Sequence, residues 1–220
     1  TRRDVEVIKA GIPRFFPEPE RIFLERYGVR YRPNLILVGF VPNDVVDTRL
    51  GLDAITVDAL GYLRTREGAR LGNPGAVLYR KSALARLTLP AISRLITRFE
   101  VPHEDDVYRS NGAFEKDWIT VEREYARIVA IGNRIGAKVV IVHIPQRGPK
   151  GAARAYPGER LGAWATSHGA GFVDVLPAMR EAEKHGGPLY YREDGHSTPR
   201  GYGVIAASIE RYLVAHSLVE

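Results

Sequence analysis

The sequence predicts an α/β fold, a three-layer α/β/α sandwich with helices on both faces of a central, mainly parallel sheet. Three observations lead there. Residues 34–40 (NLILVGF) and 138–144 (KVVIVHI) are nearly continuous apolar runs of strand length, the pattern of strands covered on both faces. Between them Trp118, Val121, Tyr125, Ile128, Gly132 and Ile135 step by three and four along one helical face. Strands alternating with helices imply parallel pairing, with a site at the carboxyl ends of the strands.

Each element follows in order. Residues 5–10 (VEVIKA) form a short β-prone run that stops at Gly11, ahead of the breakers Pro13 and Pro17. Residues 19–27 predict a helix that turns Ile22, Phe23 and Tyr27 inward, and the buried strand 34–40 comes next. Residues 50–111 differ in texture, with a hairpin over 55–63 and a helical stretch over 77–99 bent at Pro90. We expect this region to be an insertion over the site within a single domain spanning 1–220. The long amphipathic helix then ends at Gly136, where a left-handed cap belongs, and the strand 138–144 stops at Pro145. A helix near 159–167, a strand at 172–175 and a helix near 177–184 make another unit. The last helix opens at Thr198-Pro199, an N-cap and N1 pair, and runs to about Ala215.

Composition excludes several classes. A chain of 220 residues with 45% apolar and 26% charged residues has the balance of a folded globular protein. The net charge of +6 is spread among acidic residues, and the cluster 147–154 is broken by Gly, Pro and Ala, so nucleic acid is not the expected partner. There are no cysteines, which removes disulfides, thiolate catalysis and cysteine-based metal sites. No apolar run approaches the roughly 18 residues that a membrane span needs, and the first four residues are no signal peptide.

Two short stretches could carry chemistry. Asn43-Asp44 follows a strand ended by Pro42, so the Asn43 amide can project over the sheet edge toward a developing oxyanion, or the pair can form an Asx turn or cap. Asp194 stands two residues before His196, just ahead of a helix; a proton-shuttling histidine needs such a carboxylate, although a surface turn with an N-cap uses the same residues. The remaining candidates read as structural. His143 fits a packed or hydrogen-bonded residue, Trp118 and Trp164 fit helical core faces, His185 and His216 fit helix ends at the surface, and 103–106 (HEDD) fits a solvated acidic loop better than a cation site.

In order, Gly11, then Gly39 with Asn43-Asp44, then Asp194 with His196 resemble the SGNH (GDSL-like) hydrolase superfamily over nearly the whole chain. The most specific stretches are YRPNLILVGFVPND and LYYREDGHSTPRGYGVIAA. The resemblance implies a flavodoxin-like sandwich and a serine esterase or acyltransferase acting on an acyl, for example acetyl, ester of a carbohydrate or small molecule. It implies Asp194 and His196 as catalytic residues, in the D-x-H spacing of the alginate acetyltransferase-like branch, and the Gly11 N–H and the Asn43 side chain as the oxyanion hole. It implies neither metal nor organic cofactor, and a bacterial periplasmic, secreted or membrane-anchored location.

One block departs from the family. No Gly-Asp-Ser stands among the 220 residues: the serines are Ser82, Ser93, Ser110, Ser167, Ser197, Ser208 and Ser217, and none follows Gly-Asp at a strand end. The resemblance therefore implies that the nucleophile, and a first strand central to the sheet, lie on an upstream segment or membrane-anchored portion outside these residues, and that these residues alone are inert. Thr1 as an N-terminal nucleophile is a minor alternative. The competing functional classes are a non-catalytic SGNH-fold binding or scaffolding domain and a basic module for an acidic polymer.

Overall fold

The computed structural model describes residues 5–57, 63–65, 82–84, 88, 104–110, 112–146, 155–192 and 195–219. Its center is a three-stranded parallel sheet of β1 (Leu35–Phe40), β4 (Lys138–His143) and β5 (Gly171–Asp174), in the order β1-β4-β5. The register runs from Leu35 opposite Lys138 to Phe40 opposite His143, and from Val140 opposite Gly171 to His143 opposite Asp174. A separate antiparallel pair joins β2 (Ile55–Val57) to β3 (Leu63–Thr65), as the hairpin signal predicts.

Helices cover both faces of the sheet. On one, α1 (Pro17–Arg26), α2 (Asn43–Leu50), α3 (Glu115–Ile135) and α4 (Tyr156–His168) surround Val38, Phe40, Val139 and Ile141 with Val45, Trp118, Val121, Tyr125, Ile128, Leu161 and Trp164. On the other, α5 (Leu176–Glu183) and α6 (Pro199–Ala215) bring Met179 and Ile205 against Val140, Val142 and Val173. The two sets of β4 residues alternate along the strand because successive side chains point to opposite faces. The chain is thus an α/β fold with helices on either side of a parallel sheet.

Local sequence sets the helix limits. Pro17 occupies the first turn of α1 with Glu18 and Glu20, where a missing N–H costs nothing and acidic groups meet the positive end of the helix. Gly136 ends α3 at φ 74°, its N–H bonding back to Gly132 and Asn133. The Thr198 hydroxyl accepts the N–H of Gly201 to cap α6, and Pro199 follows, as expected. Gly132 lets α3 settle onto the sheet: a Cβ there would stand 2.5 Å from Val139 Cγ2.

Three expectations need correction. Residues 5–12 form no strand; they run outside any ladder with Val5, Val7 and Ile8 exposed. β-propensity describes fit to a neighboring strand, and no described strand pairs with this run. β1 is not covered on both faces either, since Leu37 is 44% exposed while Val38 and Phe40 are buried. Tyr27 turns outward, and Leu24 takes the inward place beside the core. The helical stretch expected over 77–99, the basic cluster 147–154 and most of the insertion 50–111 lie outside the described residues. Among the described residues, no helix is long and apolar enough to cross a membrane.

Arginines tie the helical layer together. Arg160 on α4 donates to Glu122 at 2.5 Å and to Glu115 at 2.8 Å, and its guanidinium lies 5.2 Å from the center of the Trp118 ring. Burial alone would favor the neutral guanidinium, but these carboxylates and the Tyr156 hydroxyl outweigh it and hold Arg160 charged. Arg49 on α2 bonds Asp117 on α3 at 2.6 Å and covers the ring of Phe114.

Trp118 is fully buried, stands 5.3 Å from the ring of Phe40 and donates its indole N–H to Val107 at 2.9 Å. Trp118→Ala is expected to cost about 3–5 kcal/mol of stability, read from the urea midpoint at unchanged slope; a loss below about 1 kcal/mol would contradict this account of the core.

Candidate active site

The carboxyl ends of β1 and β4 are joined beyond the regular ladder, where the Ile144 N–H donates to Phe40 O at 2.8 Å. The two chains therefore leave the sheet side by side. Pro42 breaks the first, and α2 begins at Asn43, whose exposed side chain is held on both ends. Its amide nitrogen donates to Asp47 at 3.1 Å, one turn along α2, and its carbonyl oxygen accepts from Gln146 Nε2 at 3.0 Å. An amide nitrogen has two hydrogens, so one N–H of Asn43 remains for another acceptor.

The second chain also anchors the turn that contains His196. The Tyr190 hydroxyl donates to Pro145 O at 3.0 Å. Burial, then the charge of Glu183 and the neighboring Tyr108, pushes this phenol up to about 12, so it keeps its proton and remains a donor. Tyr190 bridges antiparallel to Ser197; the Tyr191 N–H donates to His196 O and the Thr198 N–H to Leu189 O, each at 2.8 Å. Gly195, at φ 71°, makes the reversal. His196 is exposed at its head, immediately before α6.

The structure thus ties Asn43 and the His196 turn to one segment, Ile144–Pro145–Gln146. Asp194 lies outside the described residues. Gly11 sits in the exposed run 5–12 with open space where a Cβ would stand, and no described hydrogen bond joins it to the Asn43 turn. Ser197 is buried in the bridge, and Thr198 caps α6 as expected.

A second polar pair lies beneath this edge. His143 ends β4 fully buried, and its Nδ1 is 2.8 Å from Asp174 Oδ1 at the end of β5. Asp174 also accepts the Leu176 N–H at 3.0 Å, which starts α5. Burial works to raise the Asp174 carboxyl, but the hydrogen bonds from His143 and Leu176, with the charges of His143 and Arg180, bring it below the usual carboxylate range. Gly158 closes over the pair: a Cβ there would lie 2.9 Å from both Asp174 Oδ2 and His143 Nδ1. Sequence reading anticipates a hydrogen-bonded His143 but misses Asp174 and Gln146. An aspartate two residues ahead of a helix start is a detectable signal for the first; Gln146 leaves none, because its partner is 103 residues away.

Among the described residues, no group of three or more His, Asp or Glu stands close enough to hold a metal ion. His185 and His216 sit at helix ends as expected, the first against Glu181 and the second stacked on Tyr212. Trp164 is buried beside Tyr125.

Asp174→Ala would leave His143 buried without its partner and the Leu176 N–H uncapped, an expected loss of about 1–3 kcal/mol at neutral pH. Because the folded carboxyl is held below its unfolded value of 3.8, this contribution is present above that pH and vanishes as pH falls through the folded value. The difference between the urea midpoints of the two proteins should therefore be larger at pH 7 than in acid below that unfolded value of 3.8; a difference that does not shrink in acid would contradict the assignment.

No protein-family model matches the chain, and no curated protein matches it.

Proposed function

We propose that the chain contributes the oxyanion-hole and Asp/His portions of a serine-dependent ester hydrolase or O-acyl (acetyl) transferase of the SGNH type, acting on an acylated carbohydrate or related small ester. The observation that carries this reading is the convergence of Asn43 and the His196 turn on the segment after β4, at the carboxyl edge of a parallel sheet. An amide donor for the oxyanion and a histidine as general base are two groups that acyl transfer uses beside its nucleophile.

The serine in this reading stands in a Gly-Asp-Ser outside the 220 residues. Its Oγ attacks the ester carbonyl carbon while His196 accepts the hydroxyl proton, and the carbonyl π electrons move onto oxygen. The remaining Asn43 N–H and the Gly11 N–H stabilize that oxyanion. Collapse breaks the bond to the alcohol, which leaves with the proton from His196, and an acyl-serine remains. Water or a second alcohol then attacks the acyl carbon and gives its proton to His196; the bond from the acyl carbon to Oγ breaks as His196 returns that proton to Oγ, which restores the serine. Asp194 holds the histidine tautomer and stabilizes the imidazolium. The residues are the same for either acceptor.

The second reading, a binding domain on the same fold, draws on the lack of a Gly-Asp-Ser in these residues. Treating the complete protein with a fluorophosphonate separates the two. We expect one adduct, on a serine in Gly-Asp-Ser; no adduct, or one on Ser197, rejects the mechanism above.

In the complete protein His196→Ala should lower turnover of a small aryl ester by orders of magnitude, and undiminished turnover removes His196 from the reaction. Asn43→Ala should cost about 2.7–4 kcal/mol of transition-state stabilization, appearing in kcat rather than KM.

A further inference from the structure

We propose that Gln146 is a positioning residue for the acyl transfer: by donating to the Asn43 carbonyl oxygen, its side-chain amide keeps Asn43 presenting an N–H, and not that oxygen, where the oxyanion forms. The catalytic part of this claim rests on the functional reading above; the side-chain clamp does not.

The backbone at Asn43 is already fixed by its neighbor. The Asp44 N–H donates to Val41 O at 2.9 Å, and Asp44 Oδ2, on a residue only 2% exposed, accepts the Val41 N–H at 3.0 Å. What remains open is the end of the Asn43 side chain, because a carboxamide can turn half a revolution and exchange its oxygen and nitrogen at little steric cost. That exchange decides the chemistry: the nitrogen supplies the donor that an oxyanion needs, and the oxygen repels it.

Two partners oppose the exchange. Asp47 Oδ2 lies 3.1 Å from Asn43 Nδ2, and Gln146 Nε2 lies 3.0 Å from Asn43 Oδ1. A carboxylate accepts hydrogen bonds without donating, so Asp47 holds the nitrogen end, and the Gln146 donor holds the oxygen end. Turning the Asn43 amide would set oxygen against carboxylate and nitrogen against nitrogen, and both bonds would be lost. The hydrogen bonds therefore run in one direction, from Gln146 to Asn43 to Asp47.

The partners differ in what they hold Asn43 to. Asp47 stands one turn along the same helix, so it moves with α2. Gln146 belongs to the segment leaving β4, whose Ile144 N–H donates to Phe40 O at 2.8 Å and whose Pro145 O accepts the Tyr190 hydroxyl at 3.0 Å. Tyr190 in turn bridges to Ser197, beside His196. Gln146 is thus the side chain that sets the Asn43 amide against the frame holding the His196 turn. Its bond is exposed, so it competes with water and adds little to folding. Loss of the bond should appear in turnover and leave stability nearly unchanged.

Side-chain amide NMR of the complete protein should show an NOE between the Asn43 and Gln146 carboxamides; its absence in the folded protein overturns the clamp. In ester turnover Gln146→Ala should lower kcat about two- to ten-fold, the worth of one such bond, with KM and the urea midpoint unmoved. Gln146→Glu, which sets an acceptor against Asn43 Oδ1, should lower kcat further. In an Asn43→Ala background both changes should lose their effect, since an action through Asn43 requires Asn43. Unchanged kcat in Gln146→Ala, or losses of the same size in the Asn43→Ala background, overturn the positioning role. No turnover by the complete wild-type protein, with the NOE present, rejects the ester reading and the catalytic role with it, and leaves the clamp standing.

Discussion

The fold depends on β4 being satisfied on every side. Its backbone is bonded to β1 along one edge and β5 along the other, and its side chains from Val139 to His143 are all buried. A strand in that position has no route to water for its polar backbone, so both neighbors must be present and in register. Its alternating residues then divide the interior: Val139 and Ile141 belong to the layer of α3 and α4, Val140 and Val142 to that of α5 and α6. The segment leaving its carboxyl end inherits this precision, and for that reason one stretch, Ile144–Pro145–Gln146, can hold both the Asn43 side chain and the Tyr190 hydroxyl.

Charge inside the helical layer is handled in two ways. Glu124 is 3% exposed yet lies beside Arg21 and Arg127, and Arg160 is enclosed by Glu122 and Glu115; each buried charge has an opposite partner, which offsets its desolvation. Glu20 on α1 and Asp44 on α2 have no ion pair among the described residues. Arg21, adjacent in sequence to Glu20, points instead to Glu124.

Legibility of the candidate site follows the range of its interactions. The strand end after β1 was readable because Pro42 declares it locally, and the Thr198-Pro199 start of α6 was readable for the same reason, whereas the helix that begins at Asn43 was not anticipated. The Asn43–Gln146 bond, the Tyr190–Pro145 bond and the pairing of His143 with Asp174 join residues 103, 45 and 31 positions apart, and local patterns do not encode such partners. Residues 5–10 misled because β-branched composition describes a strand only when another strand is beside it.

By itself the sequence determined the alternation of buried strands with amphipathic helices, the caps at Gly136 and Thr198, and the core face of α3, because these depend on periodicity and on the backbone freedom of single residues. Tertiary structure alone decided that Asn43 is clamped between Asp47 and Gln146, and that Asp44 is buried while its neighbor is exposed. The physical reason is the same throughout. Propensity and pattern act over a few residues, whereas burial, charge pairing and the register of parallel strands are set by contacts between segments that the chain itself keeps far apart.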